Sequence, residues 1–513
     1  MNFHFKGLRL WLFGLLLVMA ISGDRGIQVQ AAKAVKITYA KVAEDGRVEI
    51  RAKVRKQVSG GKKYYLVKVN GLNNKPVSVL AKTKKKDQKK LTFKLSTGDK
   101  ANVISKFGIA IKQGKKLKLI SNARYLSNPE AIAANTREYQ YPSSKKGIHW
   151  ADDTNLDAKH TLVNLNLKDL IEEKGEGEPY VYNGKTYYFD DTMQQDVKRF
   201  VSQGCCVTMV IYLTWDSDHK DLIYPGARQS GNYWYMLNTE DNKVREKLEA
   251  AFCYLGEKFS KKKCLVSNWV LGNEVNSQKQ WNHAGNLSFK KYVKGYVQAF
   301  KMLSDAVHTS WSNARVYVPL DNAWNIPVSE MGWNGKTFLT EFAKVLRKEC
   351  SYTSWNLAYH AYSFPLTSAP YEENQYVTDS ADSYYITPKN IEELADYIEK
   401  TYGSDTRIIL SEQGYTATMG QDKQAASILY AYYKAEFNPM IDAYIIRNEY
   451  DDAGEVAQGL ALGLSKNGTK RKAYNVFKYM DSEKSVSTAK KYLKVIGANS
   501  WEEIIPGYDA SRF

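Results

Sequence analysis

Cysteine is scarce in this chain of 513 residues: there are 5, at Cys205, Cys206, Cys253, Cys264 and Cys350. None forms a C-x-x-C pair or stands near a histidine cluster, so the spacing of a structural zinc site is missing. An odd count also argues against a fully paired disulfide framework, and all five read as core residues. Long apolar runs are nearly absent as well. One, at residues 10–21 behind Lys6 and Arg9, has the length of a signal-peptide core and is short for a bilayer span. Val29-Gln30-Ala31 offers small residues for cleavage. Residues 1–31 therefore read as a signal peptide, with an uncleaved anchor as the alternative. The mature protein is expected to be secreted or extracellular, in part held at the cell surface. No Gly-rich phosphate turn follows an early strand, which speaks against a doubly wound nucleotide-binding sheet. Neither metal nor organic cofactor is implied.

Acidic residues are missing from one region. Between residues 33 and 130, 26 Lys and Arg face 6 Asp and Glu, so the formal net charge of +18 belongs to this stretch. The remaining mature chain is close to neutral, and the asymmetry divides the protein into two modules. Within residues 33–125, Val48-Glu49-Ile50-Arg51-Ala52-Lys53-Val54 alternates apolar and polar as a half-buried strand does. Asp45-Gly46, Gly60-Gly61 and Asn73-Asn74 punctuate such strands as turns. A small all-β sandwich is predicted. Its lysines suit an anionic cell wall or membrane surface, with plain solubility as the alternative use. No nucleic-acid partner is expected.

A linker at 126–145 leads into alternating strands and helices over 146–485, followed by a C-terminal extension at 486–513. Val207 to Leu213, Leu265 to Asn273 and Ile408-Ile409-Leu410 are apolar strand-like runs. Tyr292, Tyr296, Phe300, Leu303 and Val307 recur at helical spacing. With a short strand at Gly147-Ile148-His149 the strands number eight, and the fold class predicted is α/β, a (β/α)8 barrel preceded by the sandwich. Tyr180 to Phe189 reads as a hairpin turning at Asn183-Gly184. Residues 363–389 form a long aromatic loop at the mouth.

Two glutamates end strands of this barrel, Glu274 the fourth and Glu412 the seventh. A carboxylate directly after a buried strand is costly unless it faces a polar cleft, and at the C-terminal ends of barrel strands that cleft is the site. Glycosidic cleavage needs such a pair, one carboxyl protonated and the other ionised. Singly, each Glu is equally read as a helix cap. Leu271-Gly272-Asn273-Glu274-Val275-Asn276 resembles the acid/base motif of the retaining glycoside hydrolases of clan A, Leu410-Ser411-Glu412-Gln413-Gly414 their nucleophile motif, and His360-Ala361-Tyr362 their strand-six motif. The whole chain also resembles a family of bacterial secreted proteins known only as a domain of unknown function, including Ile120-Ser121-Asn122-Ala123-Arg124-Tyr125.

The clan resemblance implies a retaining hydrolase acting on an oligo- or polysaccharide. Glu274 would be the acid/base, Glu412 the nucleophile, Asn273 a contact to the sugar hydroxyl beside the reacting carbon, and Tyr362 the residue that orients Glu412. His360 is a substrate contact or a core histidine. The pattern departs from the clan at two points. Strand eight lacks the usual tryptophan and ends in Arg447-Asn448-Glu449, where Arg447 either meets an acidic sugar or neutralises Glu449. Strand two carries Asn164 and Asn166 and no arginine. Trp215, Asn322 and Trp324 follow strands and are candidate contacts, each tryptophan either stacking on sugar or packing under a loop. The competing readings are a barrel that binds glycan without chemistry and a polysaccharide lyase. Both carboxylates and Asn273 speak against the first. A lyase calls for a base and a charge neutraliser rather than two glutamates at these strand ends.

Overall fold

The computed structural model describes residues 33–513 apart from 57, 59–62 and 85–87. The expected signal peptide and the expected Gly60-Gly61 turn lie outside the described residues. Two antiparallel sheets form the sandwich. One orders Val35–Val42, Val48–Val54 and Lys90–Leu95. The other orders Pro76–Lys82, Tyr65–Val69, Lys106–Gln113 and Lys116–Leu119. Strand alternation decides the faces: in Lys90–Leu95, Leu91 and Phe93 are buried while Lys90, Thr92 and Lys94 are exposed.

Eight parallel strands follow: β1 (Lys146–His149), β2 (His160–Asn166), β3 (Cys206–Tyr212), β4 (Cys264–Leu271), β5 (Arg315–Leu320), β6 (Asn356–Tyr359), β7 (Ile408–Gln413) and β8 (Ile441–Ile446). Each pairs with the next and β8 pairs with β1, so the sheet closes. Val210, Val270, Ala358, Ile409, Ala443 and Ile445 pack together inside the barrel, while their neighbours in sequence face the helices. Tyr139 of the linker plugs the N-terminal end. Its hydroxyl donates to Asn268 Oδ1 at 2.9 Å, and the Arg315 guanidinium lies 3.7 Å above its ring. The open end is therefore the one at the C-terminal ends of the strands.

The main outer helices are α1 (Met193–Ser202), α2 (Asn242–Lys258), α3 (Phe289–His308), α4 (Gly335–Glu349), α5 (Ile391–Tyr402), α6 (Gln421–Glu436), α7 (Lys472–Tyr479) and α8 (Ser485–Ile496). Asp241 and Asn334 cap α2 and α4 by accepting from backbone N–H groups of the first turn. No helix joins β1 to β2. The connection holds only the turn Thr154–Leu156, and α7 packs there, with the Tyr474 hydroxyl donating to Asp153 at 2.5 Å. The expected C-terminal extension is part of the barrel's outer layer. Tyr433 of α6 shares a hydrogen bond with Ser485 at 2.7 Å and meets the Trp501 ring at 4.8 Å. All five cysteines are free and buried, as their core reading requires. Among the described residues no helix is long and apolar enough to cross a membrane.

The basic module is docked on the barrel through buried contacts. Lys68 binds Glu249 of α2 at 2.8 Å, and Glu249 also takes Arg245 at 3.0 Å and the Tyr182 hydroxyl at 2.9 Å. Lys106 reaches Glu349 of α4 at 2.5 Å, and Tyr125 donates to Gln298 of α3 at 2.8 Å. Gly71 approaches so closely that a Cβ there would stand 1.9 Å from Gln298 Oε1. Helix α3 is buried on every side between Tyr292 and Val307 except at Lys294, because barrel and module cover opposite faces.

Candidate active site

The two carboxylates reach the barrel mouth by different local devices. In β7, Ile408 and Leu410 face the helices and Ile409 faces the barrel interior. Strict alternation would turn Glu412 outward with Leu410. The register against β8 breaks between Leu410 and Gln413, where three steps on β7 match two on β8. This one-residue bulge re-aims the chain and brings Glu412 inside. Glu274 stands three residues beyond β4, in the left-handed region at φ 37°, after Gly272 at φ 81°. Val275 N–H donates to Pro319 O at 3.1 Å, and Ser277 N–H closes the turn on Glu274 O at 2.8 Å. Asp321, just past β5, clamps the same turn. It accepts from the Asn276 amide at 2.6 Å and from the Ser277 hydroxyl, while its own N–H donates to Asn276 Oδ1 at 3.1 Å.

The carboxyls are held by different partners. Glu412 Oε1 accepts from the Tyr362 hydroxyl at 2.8 Å and from Arg447 Nη1 at 3.0 Å. Glu274 Oε1 is 2.9 Å from His360 Nδ1. Among the described residues, Oε2 of each glutamate and the Asn273 amide have no hydrogen-bond partner. Burial pushes the Glu412 carboxyl up, but the Arg447 guanidinium, aided by His360, His149 and the Tyr362 hydroxyl, outweighs it and holds the pKa at about 2. Burial raises Glu274, and the His360 hydrogen bond and charge only partly reverse this while Asp321 and Glu412 push it further up. Burial opposes charge on His360, yet Glu412, Glu274 and Asp321 together raise it. Burial drops His149 to about 4, so it is neutral at pH 7, with Nε2 3.2 Å from Ser411 O. The result is one carboxyl held ionised and a second that keeps its proton to higher pH than an ordinary glutamate, each with a free oxygen.

Of the residues singled out from the sequence, Glu274 with His360 and Glu412 with Tyr362 and Arg447 form two hydrogen-bonded groups whose charges act on each other, and Asn273 directly precedes Glu274. Arg447 does not neutralise Glu449. It binds Glu412 and, at 2.5 Å, Glu455. Asn322 acts behind the site, its amide donating to Tyr362 O at 2.9 Å. Trp324 is not a sugar contact: it is fully buried, with its indole N–H donating to Ala381 O at 3.0 Å. Trp215 is half-buried and tilted against Tyr235 at 6.0 Å. Sequence reasoning missed His149, Asp321 and Glu455. Asp321 carried the same strand-end signal as its neighbour Asn322, and His149 ends β1. A cavity of 590 Å³ between Tyr187, Tyr188, Asp218 and His219 includes none of these groups.

A family model described as a family of unknown function (DUF5722) matches residues 138–504. No curated protein matches the chain. Among solved structures, the chain is similar to a family 39 glycoside hydrolase from the gut symbiont Bacteroides cellulosilyticus WH2, with 13% identity, a TM-score of 0.46, and 83% of this chain and 79% of that one covered. A monomeric β-xylosidase from Caulobacter crescentus CB15 gives 13% identity and a TM-score of 0.43 over 67% of this chain and 70% of that one. A β-glucuronidase from Bacteroides uniformis gives 8% identity and a TM-score of 0.41, with 87% of this chain aligned to 49% of that one.

Proposed function

Since the chain belongs to the DUF5722 family, whose function is unknown, its activity is read from its own site, and we propose that it is a secreted glycoside hydrolase that cleaves O-glycosidic bonds of a glycan with retention. The observation that carries this reading is the carboxyl pair at the barrel mouth, with Glu412 held at about 2 and Glu274 displaced upward. In the first step Glu412 Oε2 attacks the anomeric carbon while Glu274 gives its proton to the departing glycosidic oxygen. The bond to the leaving alcohol breaks and a glycosyl ester on Glu412 forms. In the second, Glu274, now a carboxylate, takes a proton from water as the water oxygen attacks the same carbon, and Glu412 leaves as carboxylate. Two inversions give net retention. In this reading the amide of Asn273 binds the hydroxyl beside the reacting carbon. We further propose that the basic module holds the exported enzyme at an anionic cell envelope.

The test is hydrolysis of aryl glycosides and polysaccharides with the product anomer followed by NMR. Glu412→Ala is expected to lose turnover by about 10⁴-fold or more while remaining folded, in keeping with loss of a covalent nucleophile. Glu274→Ala should keep most activity on substrates with good leaving groups, with azide restoring part of the rate. Full activity in Glu412→Ala, or an inverted product, removes the assignment.

A further inference from the structure

Four aromatic rings lead outward from the barrel mouth on the β3–β4 side. Tyr212, the last residue of β3, packs against the interior cluster that includes Val210 and Val270. Trp234 stacks on it, ring centroids 4.2 Å apart and planes 17° from parallel. Trp281 meets Trp234 edge-on at 6.0 Å, and Tyr233 stacks on Trp281 at 4.9 Å. The first three are half-buried, while Tyr233 at the outer end is 58% exposed.

The inner end of this row adjoins the acid. Ile211 pairs with Leu271, and Gly272 N–H donates to Ile211 O at 2.7 Å, so Tyr212 stands level with the Gly272-Asn273-Glu274 turn. Trp281 sits on the same loop as Glu274, seven residues on, in the short helix Gln278–Trp281. The loops bearing the rings are tied together: His283 N–H donates to Trp234 O at 2.8 Å and Met236 N–H to His283 O at 3.0 Å. Tyr235, between them in sequence, is buried and donates its hydroxyl to Gln229 O at 2.7 Å. The row is therefore preorganised before any ligand arrives. Core packing accounts for Tyr235 and does not account for the exposed edge of its neighbour. An exposed ring at the end of a row of half-buried ones marks a binding surface, and flat amphipathic rings suit the C–H faces of sugars.

We infer that the Tyr212–Trp234–Trp281–Tyr233 row is a platform for sugar rings beyond the one cleaved, so the substrate is a glycan chain and not an isolated glycoside. This rests on the hydrolase reading above and names the substrate class of that site. The experiment uses unmodified linear oligosaccharides of the β-1,4-gluco, β-1,3-gluco, xylo, manno and galacto series, from dimer to hexamer, with products followed by chromatography. In the accepted series the wild-type kcat/KM is expected to rise by about tenfold or more from dimer to hexamer, equivalent to ~1.4 kcal/mol. Tyr233→Ala and Trp281→Ala should each flatten that rise, and Trp281→Phe, which keeps a ring, should retain most of it. A wild-type ratio within about twofold of one, or a ratio unchanged in both alanine variants, overturns the inference and leaves the hydrolase reading standing. Turnover of no series, and of no aryl glycoside, removes the hydrolase reading and this inference with it.

Discussion

At the scale of single residues, the charges around Glu412 and Glu274 fix where the enzyme should work. If Glu412 must be ionised and Glu274 protonated, the acid limb of the kcat/KM profile follows Glu412 and the alkaline limb follows Glu274. Arg447 is the chief group keeping Glu412 at about 2 against its burial. Removing that cation favours the protonated form, so Arg447→Met should move the acid limb to higher pH by about one unit or more. An unmoved limb would detach Arg447 from the nucleophile. His360 acts in the same sense on Glu274, which its hydrogen bond and charge pull down against burial. His360→Asn should therefore shift the alkaline limb upward, as a pH–rate series will read. The strand-end positions of Glu274 and Glu412 were legible in the sequence pattern, and Asn273, His360 and Tyr362 were reached through their resemblance to clan A motifs. The partners of Arg447 were not, because its contacts with Glu412 and Glu455 depend on a bulge and a short helix. His149 carried only its place at the end of β1, which alone does not separate it from a core histidine.

At the scale of elements, the periodic pattern carried most of the fold. The hairpin read from Asn183-Gly184 is present as strands Glu178–Tyr182 and Lys185–Phe189, with both turn residues at positive φ, 51° and 70°. The absent helix between β1 and β2 left no signal to misread, because only turn residues lie there. The device that escaped the sequence is the turn after β4. Its backbone holds a non-glycine residue at φ 37°, and the compensation comes from Asp321, 45 residues away from Asn276. Asn276 is fully buried and exchanges two hydrogen bonds with Asp321. Asn276→Ala leaves the Asp321 N–H unmatched and takes one of two hydrogen bonds from Asp321 Oδ1, which keeps the Ala323 N–H at 3.0 Å, a cost of about 1–3 kcal/mol. It also frees the Glu274 turn to relax toward an unstrained φ. The expected outcome is a lower denaturation midpoint with kcat reduced more than KM is raised. The loss should be largest on substrates with poor leaving groups, which depend most on the acid. An equal loss on good and poor leaving groups would show that the clamp does not serve Glu274.

At the scale of the whole molecule, the lysine excess has two destinations, and composition alone could not separate them. Lys68, Lys100 and Lys106 are spent on barrel carboxylates, each within 2.8 Å of its partner. Lys36, Lys53 and Lys90 lie elsewhere. They stand directly opposite one another across the three strands of the outer sheet, exposed, and among the described residues no carboxylate pairs with them. Like charges directly opposed across strands destabilise a sheet, so this row fits the proposed attachment to an anionic surface that would relieve the repulsion. Removing the whole module is the wrong way to test it. Deleting residues 33–125 bares the face of α3 that carries Gln298 and leaves Glu349 without Lys106, so the barrel should lose solubility and cooperative unfolding. The discriminating variant is Lys36→Gln/Lys53→Gln/Lys90→Gln in the full chain. Its thermal midpoint should match or slightly exceed that of the parent, since three mutually repelling charges are gone and no buried contact is touched. Its salt-dependent retention on dextran sulfate resin and its sedimentation with phosphatidylglycerol vesicles should both fall, and more than for three lysines removed from the barrel surface. Equal retention of the two triple variants would mean that the row confers no more than general positive charge.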